Sequence, residues 1–197
     1  MKILAVADPH GDAKAMVEIK KKAKEAELIL VAGDFTLFEH DIKRIMKEYD
    51  QLKKPVLMIQ GNHEDPHIVK KLCEKSKNLI YADETIYEHD GLQVISIEGN
   101  GFLQHDEYFE QIADILKVAI DPKKKLILQT HAPPYNTKCD KIWDGDHCGN
   151  ESIRKFIEEV QPLIAICGHI HENNNTEDKI RKTRVINPGP KGRILEV

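Results

Sequence analysis

Five short apolar runs constrain this chain more than any other feature: KILAVA, ELILVA, PVLMIQ, KLILQT and LIAIC. Each is rich in Ile, Val and Leu, and near-continuous apolar runs of this length suit strands covered on both faces. Helical patterns lie between them. Residues 12–26 place Ala15, Ile19 and Ala23 on one face opposite Lys and Glu, and residues 39–49 turn Ile42, Ile45 and Met46 inward. Residues 107–120 and 151–160 follow the same period. Strand–helix alternation predicts a mainly parallel sheet with helices outside it, an α/β fold. Residues 78–98 differ: they alternate and turn at Asp90-Gly91, a hairpin signal. The segment TRVINPGPKGRILEV reads as two short strands around Pro and Gly turns. These pieces predict a second sheet or antiparallel edges. A length of 197 residues predicts a single domain over 1–197.

Composition narrows the class. With 41% apolar and 31% charged residues, the chain can bury a core and is not of the disordered kind. No apolar run approaches the roughly 20 residues that span a bilayer. The opening MKILAVADPH runs straight into Asp8 and His10, so it reads as a first strand rather than a leader. The expected location is cytoplasmic, with no membrane and no protein partner evident. A net charge of −4 argues against a broad basic nucleic-acid surface. It leaves a nucleotide substrate open, because bound cations supply positive charge locally. Cys73 and Cys167 fall in apolar patterns and are expected in the core. Cys139 and Cys148 share the polar stretch 132–150, where pairing stays open.

The ends of the five runs share one chemistry. They stop at Asp8-Pro9-His10, Gly33-Asp34, Gly61-Asn62-His63-Glu64, Thr130-His131 and Gly168-His169-Ile170-His171. In open sheets of this kind, sites form at the carboxyl ends of the strands, so these groups should converge on one rim. Carboxylate, imidazole and amide oxygen are ligands for Mn, Fe, Zn or Ni. Besides His63 there are seven candidates: Asp8, His10, Asp34, Asn62, His131, His169 and His171. Seven exceed one ordinary site, and a shared carboxylate would divide them between two ions about 3.5–4 Å apart. Glycines before Asp34, Asn62 and His169 let the chain turn sharply there. His169 and His171 would face the same side of an extended strand, and a turn would aim them at different ions. Any one of these endings alone is usually a cap, a turn or a hydrogen-bonded core group. Five in order on five predicted strands are not.

The order D-x-H, GD, GNH[ED], H, GHxH resembles the calcineurin-like metallophosphoesterase superfamily, over Asp8 to His171. The segment from Thr130 to Glu172 also looks like its small, single-domain prokaryotic members. The resemblance implies a four-layer αββα sandwich, two mixed β-sheets flanked by helices. It implies a first metal on Asp8, His10, Asp34 and His171, and a second on Asp34, Asn62, His131 and His169. Asp34 would bridge, and His63 would face the scissile phosphate. Two departures stand out: Pro9 inside the D-x-H motif, and Asn150 where many relatives carry Ser after Gly.

The function expected is a binuclear metal-dependent phosphoesterase acting on phosphodiesters, a hydrolase whose bridging hydroxide attacks phosphorus in line. Two divalent transition-metal ions (Mn, Fe, Zn or Ni) are the expected cofactors, with Mn foremost for activity. Asn62, His63 and the bridging Asp34 are the expected catalytic group, with His63 protonating the leaving oxygen. The substrate expected is a small phosphoester, nucleotides included. A phosphomonoesterase, a nuclease and a non-catalytic metal-binding scaffold are the alternatives. His147 and Trp143, in the aperiodic stretch after His131, are candidate substrate contacts. Trp143 and Tyr135 could stack on a nucleobase or pack that loop down. His40, His67, His89 and His105 are expected at the surface.

Overall fold

Successive residues of the central strands face opposite ways, and burial follows that alternation. In β1 (Lys2–Val6), Ile3 and Ala5 enter one apolar cluster while Leu4 and Val6 enter another. β2 (Leu28–Ala32) and β3 (Val56–Ile59) repeat the pattern, which is how a continuous apolar run covers two faces. The computed structural model describes residues 1–143 and 145–197. The first sheet runs β11 (Arg193–Glu196), β1, β2, β3, β4 (Leu79–Tyr81), with only β11 antiparallel to its neighbour. The second runs β5 (Thr85–His89), β6 (Leu92–Ser96), β7 (Lys125–Gln129), β8 (Ile164–Ile166), β10 (Thr183–Ile186), β9 (Glu177–Ile180). Its inner strands are parallel and its two edge strands antiparallel.

Three apolar clusters separate four layers. One packs α1 (Ala13–Ala23), α2 (Ile42–Asp50) and α3 (Pro66–Cys73) on the first sheet. The second lies between the sheets, where Ile3, Leu30 and Leu57 meet Val94, Ile127 and Ile164. The third packs α4 (Glu107–Lys117) and α5 (Glu151–Val160) on the second sheet. This is the αββα sandwich that the sequence implies. Local chemistry starts the helices. Asp12 caps α1 by accepting the Lys14 N–H, and Asp65 caps α3 ahead of Pro66. Asn150 caps α5 by accepting the Ile153 N–H at 3.0 Å, so its side chain serves the helix and not a substrate.

Several expectations shift. The hairpin is real but smaller: β5 and β6 pair around Asp90 (φ 44°) and Gly91 (φ 79°), two left-handed residues in succession. β4, inside the same alternating segment, pairs parallel to β3 in the other sheet. The C-terminal strands likewise part company, β10 beside β8 and β11 beside β1. Alternation records that a face is covered, and it is silent on which strand lies alongside. The short α3 escaped the helical reading because its eight residues hold barely two turns. All four cysteines are free, and Cys139 is buried in the apolar layer under α5 rather than held in a polar loop. His40, His67 and His105 are exposed and His89 partly so. Among the described residues no helix is long and apolar enough to cross a membrane.

The layer between the sheets should dominate stability. Leu30→Ala, at 0% exposure, should lower unfolding free energy by about 2–5 kcal/mol. Ile115→Ala on α4, at 68% exposure, should change it by less than about 0.5 kcal/mol. Urea titrations of both variants measure the contrast.

Candidate metal centre

The five strand ends converge, and neither sheet holds the whole set. The first sheet supplies Asp8 and His10 after β1, Asp34 after β2 and Asn62 after β3. The second supplies His131 after β7, with His169 and His171 after β8. Four of these seven hold left-handed backbone without being glycine: Asp8 (φ 53°), His10 (φ 44°), Asp34 (φ 47°) and His169 (φ 70°). Such conformations cost about 1–3 kcal/mol each and persist only where the surroundings over-determine them. The chain between His169 and His171 turns as expected, from that left-handed residue into a 3-10 turn, His171–Asn173. Gly168 lets the two sheets meet here. A side-chain carbon at that position would sit 2.8 Å from Asp8 Oδ1 and 2.9 Å from Ala7 Cβ.

Backbone partners fix which ring nitrogens face inward. His10 Nδ1 lies 2.9 Å from the Thr36 carbonyl and His131 Nδ1 2.9 Å from the Ala32 carbonyl. A carbonyl only accepts, so each Nδ1 carries a proton, and with the ring neutral each Nε2 offers its lone pair to the centre. There His10 Nε2 lies 2.9 Å from His171 Nε2. His131 Nε2 lies 3.0 Å from Asn62 Oδ1 and 3.5 Å from Asp34 Oδ2, and His169 Nδ1 lies 2.9 Å from the same Asn62 oxygen. Four imidazoles, Asn62 and Asp34 thus bring their nitrogen and oxygen atoms within 2.9–3.5 Å of one another at the centre. Asp8 adds Oδ2, a buried oxygen without a hydrogen-bond partner. Carboxylate, imidazole and amide oxygen gathered in this way can hold a cation among them.

The proton affinities report the same hollow. Burial works against a charged His131, yet the hydrogen bond and charge of Asp34 raise its pKa to about 9. Burial would raise Asp34, but the His131 bond and charge hold it below the usual carboxylate value. Burial pushes Asp8 up to about 6. Burial and the neighbouring His131 push His169 down to about 4. His131 thus holds a proton beside Asp34, while burial and that same His131 disfavour one on His169.

Two groups of ligand atoms result. Asp8, His10, Asp34 and His171 lie within 4.8 Å of one another, and so do Asp34, His131 and His169. Asn62 joins the second through its oxygen. Asp34 belongs to both, the partition that the sequence resemblance implies. The chain's match to the family model described as calcineurin-like phosphoesterase covers residues 1–173. The chain belongs to that family. An uncharacterized protein of Methanocaldococcus jannaschii is 34% identical over 201 residues, covering 97% of this chain and 89% of that protein. A probable cyclic nucleotide phosphodiesterase of Synechococcus is 23% identical over 163 residues, covering 77% of this chain and 60% of that protein. Among solved structures, a dimetal phosphatase from Danio rerio superposes with a TM-score of 0.66 at 12% identity, covering 94% of this chain and 86% of its own. Calcineurin-like phosphoesterases are metal-dependent hydrolases, and the two ligand groups here can hold divalent metal.

The remaining candidates divide. His63 sits at the rim with Nε2 3.8 Å from Asp34 Oδ2, and burial holds its pKa below the usual imidazole value. His147 is turned into its own loop: its Nδ1 lies 2.7 Å from the buried Asp140, which also accepts the Thr137 and Gly149 N–H groups. Trp143 is 89% exposed and does not pack the loop down. Its Nε1 donates to Glu172, next to ligand candidate His171, so the loop does border the centre. Glu64 carries a role that the sequence left blank. Its buried carboxylate accepts from the N–H groups of Asp34 (3.1 Å), Gly61 (3.0 Å) and Thr36 (2.8 Å) and from the Thr36 hydroxyl (2.7 Å). Burial pushes its pKa up to about 7 against the pull of those donors. Glu64 thereby ties the two loops that present Asp34 and Asn62. An acidic residue beside a ligand was the only signal, since its partners lie up to 30 residues away.

Two outcomes test this assembly. Asp34→Asn should strip metal from both groups, whereas Asn62→Ala should weaken one; elemental analysis of purified protein reads the difference, and two tightly retained ions in Asp34→Asn would sink the shared-ligand assignment. Glu64→Ala should lower stability by about 1–3 kcal/mol, because it orphans buried donors, and should also reduce metal retention without removing a ligand. Unchanged metal content would limit Glu64 to the fold.

Proposed function

We propose that this chain is a binuclear metal-dependent phosphodiesterase. The observation that carries the reading is Asp34, placed in both ligand groups. Two divalent ions of the Mn, Fe, Zn and Ni class, Mn foremost for activity, would supply a hydroxide nucleophile near neutral pH and neutralise charge on the phosphoryl group. Asp8, His10 and His171 would hold the first, His131, His169 and Asn62 the second, and Asp34 both. The charge around the centre favours a diester. Among the described residues no Lys or Arg forms a hydrogen bond or ion pair with any of the seven ligand candidates or with His63, which favours the smaller charge of a diester. Family membership supports hydrolysis, and the Synechococcus relative supports the diester class. The substrate is accordingly a small phosphodiester, nucleotides included. Four free thiols favour a cytoplasmic setting.

His63 takes a narrower role than proton transfer. The Phe38 backbone N–H donates to its Nδ1 at 3.3 Å. That amide can only donate, so the imidazole proton sits on Nε2, the nitrogen turned to Asp34 and the centre. A second proton on Nδ1 would oppose the Phe38 N–H. His63 therefore offers a neutral hydrogen bond to a phosphoryl oxygen, aimed where charge develops.

Hydrolysis of bis(p-nitrophenyl) phosphate by the Mn-loaded chain, faster than that of p-nitrophenyl phosphate, tests the activity; a metal-binding scaffold would turn over neither. His63→Gln should keep its metal and lose rate on the order of 10²-fold, the effect of one oxyanion donor. The loss should be similar for an alkyl and a nitrophenyl leaving group. An additional loss of about 10²–10⁴-fold on the alkyl diester alone would restore the general acid.

A further inference from the structure

We infer that Phe38 and Phe102 form a pair of aromatic walls that select phosphodiesters carrying a flat ring beside the phosphorus, a nucleobase or an aryl group. This rests on the phosphodiesterase reading above and names the substrate class of that site.

The chain has five Phe and one Trp. Phe35, Phe109 and Phe156 are buried in the core, at 0–2% exposure. The other two are 76% and 75% exposed, and both stand against histidines of the centre. The Phe38 ring lies 4.2 Å from that of His63, and the Phe102 ring 5.1 Å from that of His169. His63 and His169 belong to two different groups of touching imidazoles. His63 neighbours His10 and then His171, while His169 neighbours His131. The two phenyl rings therefore stand against different parts of the centre. Trp143, the one tryptophan, stands beside His171 through Glu172. Exposed phenyl rings scattered over a surface need no explanation. Here every exposed Phe and Trp among the described residues borders one site.

The backbone holds both rings in place. Phe38 has φ 47°, a left-handed conformation that bulky residues rarely adopt, and Glu39 follows at φ 60°. The His63 bond to the Phe38 N–H fixes this strained turn to the very ring that Phe38 covers. Phe102 is set by an Asx turn, its N–H donating to Asn100 Oδ1 at 3.0 Å. The preceding Gly101 lies flat on His169: a side-chain carbon there would sit 2.7 Å from Nε2. Strain and close approach are maintained at two separate loops with the same result, an exposed phenyl beside the reacting group. An apolar wall attracts a ring and offers no hydrogen bond to a bare or multiply charged phosphate. Stacking on such walls tolerates many ring types, so selection should be for flatness rather than for one base.

The test uses two diesters with the same leaving group, p-nitrophenyl phenyl phosphate and p-nitrophenyl methyl phosphate, and the Mn-loaded full chain. kcat/KM should favour the phenyl ester by at least about tenfold, the scale of one aromatic contact. In the double variant Phe38→Ala, Phe102→Ala that ratio should fall toward unity, with metal content and circular dichroism checking that the centre and fold survive. A wild-type ratio near unity, or a ratio kept by the variant, overturns the inference. If the variant keeps the ratio while wild type alone self-associates in gel filtration, the rings serve contacts between copies of the chain. Calorimetric binding of phenyl phosphate against methyl phosphate separates the two readings. Tighter phenyl phosphate binding that the double variant loses, with no turnover of either diester, would refute the phosphodiesterase and leave the walls standing. Turnover of both diesters with equal binding would do the reverse.

Discussion

Two hydrogen bonds across the gap between the sheets hold the rest in register. Gln129 Nε2 donates to the Val31 carbonyl at 2.8 Å, and His131 Nδ1 donates to the Ala32 carbonyl at 2.9 Å. The acceptors are consecutive residues of β2, the middle strand of the first sheet, and the donors come from the end of β7 in the second. Apolar packing between sheets is non-directional and tolerates small slides. A buried hydrogen bond does not, because sliding would orphan a carbonyl and a ring nitrogen. The pair therefore converts a greasy interface into a fixed one at the edge where the ligands sit. His131 does two jobs in this arrangement. One ring nitrogen locks the sheets, and that bond turns the other toward Asp34 and Asn62.

The centre is consequently built under tension. Four ligand candidates sit in left-handed backbone, two imidazole nitrogens meet at 2.9 Å, and one Asp8 oxygen lacks a partner. Each feature is unfavourable alone. They coexist because the surrounding core is packed on all sides and because Glu64 gathers the amides of the two loops from the first sheet. Divalent cations held by these residues would satisfy carboxylates, imidazoles and charge together. The strain extends outward to Phe38, whose amide sets the tautomer of His63 and whose ring forms part of the rim.

Much of this was written in the sequence. The period-two burial of residues 2–6 and 28–32 follows from near-continuous apolar runs, which have nowhere to go but between two layers. The ligand types at the run ends named the chemistry, and the turn at Asp90-Gly91 named the hairpin. These signals are local, since residue type and spacing determine which faces are apolar and where a chain can reverse. What the sequence could not decide were partners distant along the chain. It did not separate β4 from the hairpin that follows, assign β10 and β11 to different sheets, give Glu64 its donors or turn His147 toward Asp140. It also did not say that Phe38 and Phe102 flank one site, since they stand 64 residues apart on loops without periodicity. Tertiary structure alone decided these matters, because hydrogen bonds and ring contacts depend on distances of a few ångströms that only the packed sheets define.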